Sequence, residues 1–517
     1  MIGWLDRILG RVTMYGLVVI SLGILQLVAL VVSAFGTFGF GPLELVASSL
    51  VLVAASYLAN RLAGLIVRIQ PQTTSAIITG QLLSFIFWPT LDPAGLGILA
   101  VAAVVATATK YLIAVRGRHL LNPAAAGAFL TALIPWPVAS TFVVWWPGTT
   151  ILLPFVTIAA LAILFRTRKL WLGLVFVLVA TLTWGITFLR GAGIDAGPDD
   201  FVQGVSFAIL GYPTIFLAGF MLSEPLTLPP RRWQQVLEAI LVGILFGLPF
   251  VVFGLFSSSP QFALLVGNLL AFFFGQHRGI RLRFLGKSQL APTSWEFEFE
   301  ALRPVHFTPG QFMELTLPHR GTDSRGWRRV FSIASAPGDG SRVRFGVRLP
   351  ERSSSFKKAL LGLEPGTTLS ATSVGGDFVL PRDDSPVLLV AGGIGITPYV
   401  SQLEDRAEHA ADGEPVRDVA LVYAISTPDD LAYAKRLAKT GCSSVTVVCA
   451  TRPTGLPKAW RWLESTRLTG EQLLEAVPDA RERHAYLSGT PAMVTALKRA
   501  LHRAGVHRIH TDVFVGY

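Results

Sequence analysis

The chain has 517 residues, 51% hydrophobic and only 15% charged, with a net charge of +11. Its two cysteines, Cys442 and Cys449, exclude a disulfide framework, a four-cysteine zinc site and a ferredoxin-type cluster within the chain, and no metal site is expected. Positive charge favours nucleic acid in a soluble protein, but here much of it lies in short loops between apolar runs, so it reads as topology and no nucleic-acid partner is expected.

The N-terminal "MIGWLDRILGR" leads into an apolar run long enough to stay as a span rather than a cleaved signal. A span needs about 20 mostly apolar residues. Runs near 13–36, 44–65, 74–91, 95–115, 122–138, 149–165, 170–189, 205–223, 235–256 and 260–276 predict a polytopic α-helical membrane domain, residues 1–276, of about ten spans. Two or three of these are short enough to be half-spans. One set of loops holds Arg7 and Arg11, Arg61 and Arg68, Arg116 and Arg118, Arg166, Arg168 and Lys169, Arg231 and Arg232, then Arg278, Arg281 and Arg283. The alternate loops hold Arg190 with Asp92, Asp195, Asp199 and Asp200. Basic loops face the cytoplasm, so the expected location is the cell membrane, multi-pass, with both termini cytoplasmic. His119 is the one histidine before the last run ends, which excludes a bis-histidine haem between spans. Lys110 and Glu238 fall inside predicted spans, as functional groups or as pairs between spans.

Two loops punctuate this half. In "GRHLLNPAAAG" (117–127), Asn122-Pro123 caps a helix of small residues; "FMLSEPLTLPPRR" (220–232) places Glu224 at the membrane edge. The pair resembles the signatures of the family of flavin-bearing membrane subunits found in the sodium-translocating NADH:quinone reductase and in the Rnf complex, with Ser223-Glu224 where the family has Thr-Asp. The resemblance covers roughly 10–275 and would imply FMN esterified to Thr150 in "VVWWPGTT", a possible second flavin. Gly148 and Thr150 match that motif, whereas Val144, Pro147 and Thr149 depart from it. Without the family, Trp145 and Trp146 read as interfacial aromatics and Pro147-Gly148 as a turn.

From Phe284 the apolar period becomes two. "LAPTSWEFEFEAL", "QFMELTLP" and "RVRFGVRLP", separated by "TPGQ", "APGDG" and "EPGT", predict an antiparallel β-barrel over 282–384. After Pro386, "PVLLVA", "ALVYAIS", "VTVVCA" and "HAYLSG" alternate with helical stretches and predict an α/β nucleotide-binding domain over 385–517. Gly392, Gly393 and Gly395, followed by Thr397-Pro398, join the first of these strands to a helix and leave a backbone that a pyrophosphate can approach. Upstream, Arg329 can clamp a phosphate, Phe331 can stack on a planar ring and Ser332 can hydrogen-bond it. Ser353, Ser354 and Ser355 can cap a helix with Lys357 in its first turn.

This ordered set resembles the ferredoxin–NADP reductase superfamily over about 282–517. The resemblance implies FAD held by Arg329, Phe331, Ser332, Ser354, Ser355 and Lys357, and a pyridine dinucleotide, NADH or NADPH, on Gly392, Gly393, Gly395, Thr397, Gly489 and Pro491. It places Ser332, Thr397 and Ser488 at the reacting rings, Ser488 standing where the family has cysteine, and lets Tyr517 or Phe514 cover the flavin. Lys435 and Arg436 could meet a 2′-phosphate; Asp429 and Asp430 could meet a ribose hydroxyl. Together the halves predict a membrane-bound NAD(P)H-oxidising flavoprotein. It would pass electrons from the cytoplasm via FAD to an acceptor in or across the membrane, a quinone or a second flavin, with ion coupling and additional electron-transfer subunits left open. The alternative is a transporter or channel carrying a redox-sensing reductase domain.

Overall fold

The computed structural model describes all residues except 1–13, 68–70, 116–117, 135–142, 253–255, 275–279, 322, 324–325, 352, 382, 412–416 and 515–517. Tyr517 and the loop arginines Arg7, Arg11, Arg68, Arg116 and Arg278 lie outside the described residues. The chain divides near Arg278 into two compact units.

The first unit is helical: α1 (Met14–Ala34), α2 (Pro42–Val67), α3 (Thr73–Ile86), α4 (Pro93–Leu112), α5 (Pro123–Ala132), α6 (Leu153–Thr167), α7 (Leu170–Gly191), α8 (Pro198–Leu210), α9 (Thr214–Leu217, continued by a π-turn over Ala218–Leu222), α10 (Arg232–Gly247) and α11 (Pro260–Phe274). Each apolar run holds a helix, and among the described residues α1, α2, α4 and α7 are long and apolar enough to cross a membrane, which does not confirm the expected count of about ten spans with two or three short ones. The α8–α9 pair, bent by 50°, would make a fifth. Of the shorter helices, α10 stops at the extended Leu248. Asn122 caps α5 through Ala125 N with Pro123 in its first turn, and α3 stops at the extended Phe87.

Neighbour relations recur along the unit. Helix α2 packs on α3 and α4, α4 on α5, and α1 on α3; likewise α7 packs on α8 and α10, α10 on α11, and α6 on α9. The two sets meet where α1 touches α6 and α5 touches α11. Small residues let these backbones close up: a β-carbon on Gly127 would lie 2.5 Å from Ala106 Cβ and 2.9 Å from Ala102 O. The unit is apolar both inside and out: Leu22, Leu25, Phe85 and Phe176 fill its core, with a few polar groups among them. Ser56, Asn60, Asn268 and Glu238 are buried, while Leu27, Leu50, Leu58, Ile158 and Leu178 stand 58–68% exposed. Trp145 and Trp146 are 4% exposed, not interfacial. Their ring N–H groups donate to Gln261 Oε1 (2.8 Å) and Ser84 O (2.8 Å), which is how an indole is accommodated in a core.

The second unit begins with strands β1 (Ile280–Ala291), β2 (Ser294–Ala301), β3 (Phe312–Thr316), β4 (Arg328–Ser332), β5 (Arg342–Arg348) and β6 (Thr368–Gly375), with α12 (Ser355–Leu361) before β6. They form an antiparallel sheet in the order β4-β3-β6-β1-β2-β5, and a bridge between Ile333 and Phe345 brings its two edges together. Period two is explained by the buried face: Phe297, Phe299, Met313, Leu315, Val343 and Phe345 fill the barrel. The "TPGQ" turn needs its glycine. Gly310 has φ +93°, and a β-carbon there would overlap the Phe378 carbonyl oxygen. Gly310→Ala is expected to destabilise this unit by about 2–4 kcal/mol, from left-handed strain plus the clash. The midpoint of thermal flavin release measures it, and an unchanged midpoint would show that the turn rearranges freely.

Next come β7 (Val387–Gly392), a 3₁₀ turn (Gly393–Ile396), α13 (Thr397–Ala411), β8 (Val419–Ala424), α14 (Ala434–Leu437), β9 (Ser444–Cys449), β10 (Arg461–Glu464), α15 (Gly470–Ala476), β11 (His484–Gly489), α16 (Pro491–Arg503) and β12 (Ile509–Val513). All six strands run parallel in the order β10-β9-β8-β7-β11-β12. The chain winds outward from β7 to β10, then returns to the other side of β7 with β11. The switch point therefore lies between β7 and β11. Both faces are covered, so the strands read as continuous apolar runs: Val387, Leu388, Leu389 and Val390 are all fully buried.

Candidate active site

In open parallel sheets, ligands bind outside the carboxyl ends of the strands at the switch point. Here that place is built from Gly392–Thr397 after β7 and Ser488–Thr490 after β11. Gly393 has φ +54°, with nothing within 4 Å of where a β-carbon would be, so its outer side is open to a ligand. Gly395 is the opposite case: a β-carbon would lie 2.6 Å from Ser488 O. The two loops are thus in backbone contact, and Gly489 (φ +154°) approaches Gly392 in the same way. Thr397 is buried and its hydroxyl donates to Ile394 O (3.0 Å), which fixes the turn. Pro491 occupies the first turn of α16. Ser488 Oγ is buried without a hydrogen-bond partner among the described residues, a polar atom left for a ligand to satisfy.

On the barrel, β4 presents Arg329 (buried), Phe331 (half-buried) and Ser332 (buried). The Arg329 guanidinium sits 5.4 Å from the centre of the Phe356 ring, pairs with Asp323 Oδ1 at 2.9 Å and donates to Gly326 O at 3.0 Å. Phe331 packs at 5.8 Å from Phe356. Ser354 is the N-cap of α12, accepting from Lys357 N at 3.4 Å. Ser355 instead bonds His319 Nε2 and Asp323 N, each at 3.0 Å. Helix α12 has only seven residues, so an anion there would depend on side chains more than on a helix dipole. At the C-terminus, Phe514 N donates to Gly489 O at 2.9 Å, which places that residue beside the loop of β11.

The residues fit the expected cofactors on these observations: an open left-handed glycine, a buried unpartnered hydroxyl and an arginine–aromatic–serine strand all belong to one unit. One expectation is corrected. Arg436 is not free for a 2′-phosphate, because its guanidinium is bound to Glu404 (Nε–Oε1 2.5 Å, Nη2–Oε2 2.6 Å), Glu296 (2.5 Å) and Ala334 O (3.0 Å). Burial alone would lower its pKa; hydrogen bonds and charge from Glu404 and Glu296 more than reverse this and hold it above the ordinary arginine value. No spacing rule marks Glu296 or Glu404 in the sequence, since they lie 140 and 32 residues from Arg436.

In the helical unit the two punctuating loops meet. Glu224 Oε1 lies 2.9 Å from His119 Nε2, and Oε2 accepts from Asn122 Nδ2 at 2.9 Å. Asn122 N donates to Asn268 Oδ1 at 2.8 Å, tying in α11. A cleft opens beside this cluster, with Tyr15, Ser75, Thr79, Asn122, Ser223 and Glu224 among its lining. Lys110 Nζ donates to Ser75 Oγ at 2.6 Å, so this lysine pairs α4 with α3. Asn268 was hidden inside an apolar run. Thr150 is exposed in the turn before α6.

Comparison with known proteins bears on the second unit. A family profile, Oxidoreductase NAD-binding domain, matches residues 389–499. A flavohemoprotein of Oceanobacillus iheyensis is 27% identical over 220 residues, 40% of this chain and 51% of that protein. The reductase component of an Amycolatopsis aromatic O-demethylase is 30% identical over 223 residues, 41% of this chain and 62% of that protein. The chain thus spans about half to three-fifths of the length of these relatives. The crystal structure of an Amycolatopsis cytochrome P450 reductase superposes with a TM-score of 0.39 at 26% identity, covering 46% of this chain and 70% of that one. The matched residues include the glycine loop at the switch point of the parallel sheet, so the C-terminal half of this chain carries an oxidoreductase NAD-binding domain and is similar to reductases such as these.

Proposed function

We propose that the chain is a membrane-embedded NAD(P)H-oxidising flavoprotein that delivers electrons from cytoplasmic NAD(P)H, through FAD, to an acceptor held by the helical unit. The observation that carries the membrane part is the outward exposure of Leu27, Leu50, Leu58, Ile158 and Leu178 on the apolar helices of this unit. Each such side chain forgoes about 1.5–3 kcal/mol of burial if it faces water, and apolar exposure of this kind marks a lipid or partner surface. Both termini are assigned to the cytoplasm, where the nucleotide is.

In the reductase unit, Gly393 and the first turn of α13 would receive the dinucleotide pyrophosphate, with Thr397 shaping the turn. Ser488 would hydrogen-bond near the reacting ring, and Pro491 sets the helix that follows. On the flavin side, Phe331 would pack on the ring and Ser332 would bond it, while Arg329, Ser354, Ser355 and Lys357 supply donors for phosphate. FAD, when bound, converts two-electron hydride chemistry into single-electron delivery.

The cleft by Glu224 and Asn122 is the candidate seat of the acceptor, a quinone or a second flavin. Ser75 lines the cleft, and Glu224, at its edge, is held by His119 and Asn122. The likeness to the membrane subunits of the sodium-translocating NADH:quinone reductase and the Rnf complex supports this reading, in which Thr150 would carry covalent FMN; ion coupling belongs to the same proposal. A second reading, a transporter with a redox-sensing domain, is favoured by the repeated helix order and the broken α8–α9 pair.

Anaerobic titration of the detergent-purified chain with NADH and NADPH, counting reducible flavins per chain, separates these. One releasable flavin that reduces an added quinone supports the first reading. Two flavins, one surviving denaturation, support the form with FMN at Thr150. Flavin reduction with no transfer to quinone or to a second centre favours the sensor. No reducible flavin would remove the whole proposal.

A further inference from the structure

We propose that Arg436 is a positioning residue for flavin reduction: a single guanidinium that locks the nucleotide loop to the flavin strand. This rests on the NAD(P)H:FAD reading above. Three side chains of the nucleotide-binding domain reach backbone carbonyls on or next to the barrel: Arg436 to Ala334 O (3.0 Å), Ser401 to Ser335 O (2.7 Å) and Gln402 to Phe378 O (2.7 Å). Ala334 and Ser335 directly follow the Arg329–Ser332 strand. Ser401, Gln402 and Glu404 lie on α13, which begins at the glycine loop. Arg436 is the charged member of this seam. One edge of its fork takes both oxygens of Glu404, and the remaining nitrogen takes Glu296 of β2 in the barrel.

The packing beside the fork admits no slack. At Gly346 of β5 a β-carbon would lie 2.5 Å from Thr397 Cγ2 and 2.5 Å from Tyr433 Oη. Thr397 is the first residue of α13, and the Tyr433 ring lies 5.1 Å from the Arg436 guanidinium. Tyr433 adopts φ +62° to reach this place, a left-handed conformation rare for an aromatic residue. The barrel therefore meets the end of the nucleotide loop through a glycine, and the guanidinium fixes the angle of that contact. A lysine has the charge but not the planar fork needed to hold three acceptors in fixed directions.

The Glu296, Glu404 and Arg436 side chains are only 12%, 20% and 24% exposed, so deleting the arginine alone would leave two carboxylates facing each other. The test is a neutral replacement of the set, Arg436→Met with Glu296→Gln and Glu404→Gln, in the full FAD-loaded chain. Three quantities are read: FAD content, nucleotide dissociation constant, and the limiting rate of anaerobic flavin reduction with its primary deuterium isotope effect. The expected result is unchanged FAD content and a dissociation constant within about threefold of the parent. The limiting rate falls on the order of 10- to 100-fold with the isotope effect fully expressed, as a misplacement near 1 Å produces. If the triple variant does not retain FAD, Arg436→Lys is read in the same way. An FAD-loaded variant reduced at the parental limiting rate overturns the proposal. A parent chain whose flavin is bleached by neither nucleotide would instead defeat the reading on which it rests.

Discussion

Gly395→Val is expected to lower flavin reduction by NAD(P)H by on the order of 100-fold while the chain still binds FAD. The atoms a β-carbon would strike are all backbone: Ser488 O at 2.6 Å, Ser488 C at 2.8 Å and Gly489 Cα at 2.9 Å. No flexible side chain can give way, so the ends of β7 and β11 must part. The strain costs about 1–3 kcal/mol, and the larger loss follows from displacing the nucleotide loop and Ser488 together. Gly393→Ala is the informative companion. Its β-carbon meets no protein atom but fills the open side of the loop at φ +54°, so it should raise the nucleotide dissociation constant at a strain cost of about 1–2 kcal/mol and without a clash. Stopped-flow reduction with the FAD content checked in each variant measures both. Wild-type reduction by Gly395→Val would mean that the nucleotide is not read at this switch point.

Asn122→Ala should be the most damaging single change in the helical unit outside its helix–helix contacts, at about 2–4 kcal/mol. It removes the cap of α5, worth about 1 kcal/mol. It also strips the half-buried Glu224 Oε2 of its amide donor, a charge-assisted hydrogen bond worth about 1.5–3 kcal/mol. Asn122→Asp separates the terms. Aspartate caps a helix as well as asparagine but sets a second carboxylate against Glu224. A loss for alanine with full retention for aspartate would reduce the site to a helix cap. Loss in both identifies the Glu224 contact as the larger part. The midpoint of thermal unfolding in detergent, followed by tryptophan fluorescence, reads the difference, because Trp145 and Trp146 are buried in this unit.

Much of the fold was legible in the sequence. The barrel strands follow from alternation, which is a direct image of one buried face, and the parallel strands from apolar runs bounded by glycine. Arg329, Phe331 and Ser332 are contiguous in one strand and Gly392–Thr397 in one loop, so each set is placed by local geometry. Asn122-Pro123 announced a cap, and Ser354 was among three serines offered for one. Span number was less legible, because hydropathy measures how apolar a run is and not where its helix stops. The run at 122–138 contains a helix of only ten residues, Pro123–Ala132. Trp145 and Trp146 were misplaced for a related reason: an indole looks the same in sequence whether its N–H meets water or Gln261.

By itself the sequence determined the helical first part, the barrel and parallel-sheet folds of the second, and the local constellations that could face FAD and a dinucleotide. These rest on periodicity, composition and short-range turn chemistry, which act over a few residues. Only the tertiary structure decided that Arg436 is bound between Glu296 and Glu404, that Glu224 meets His119 and Asn122, and that Gly395 lies against Ser488. It also decided that the helices repeat their order of neighbours. Those are pairings between residues 32 to 140 positions apart, and such contacts are fixed by how whole elements pack, a quantity no local pattern contains.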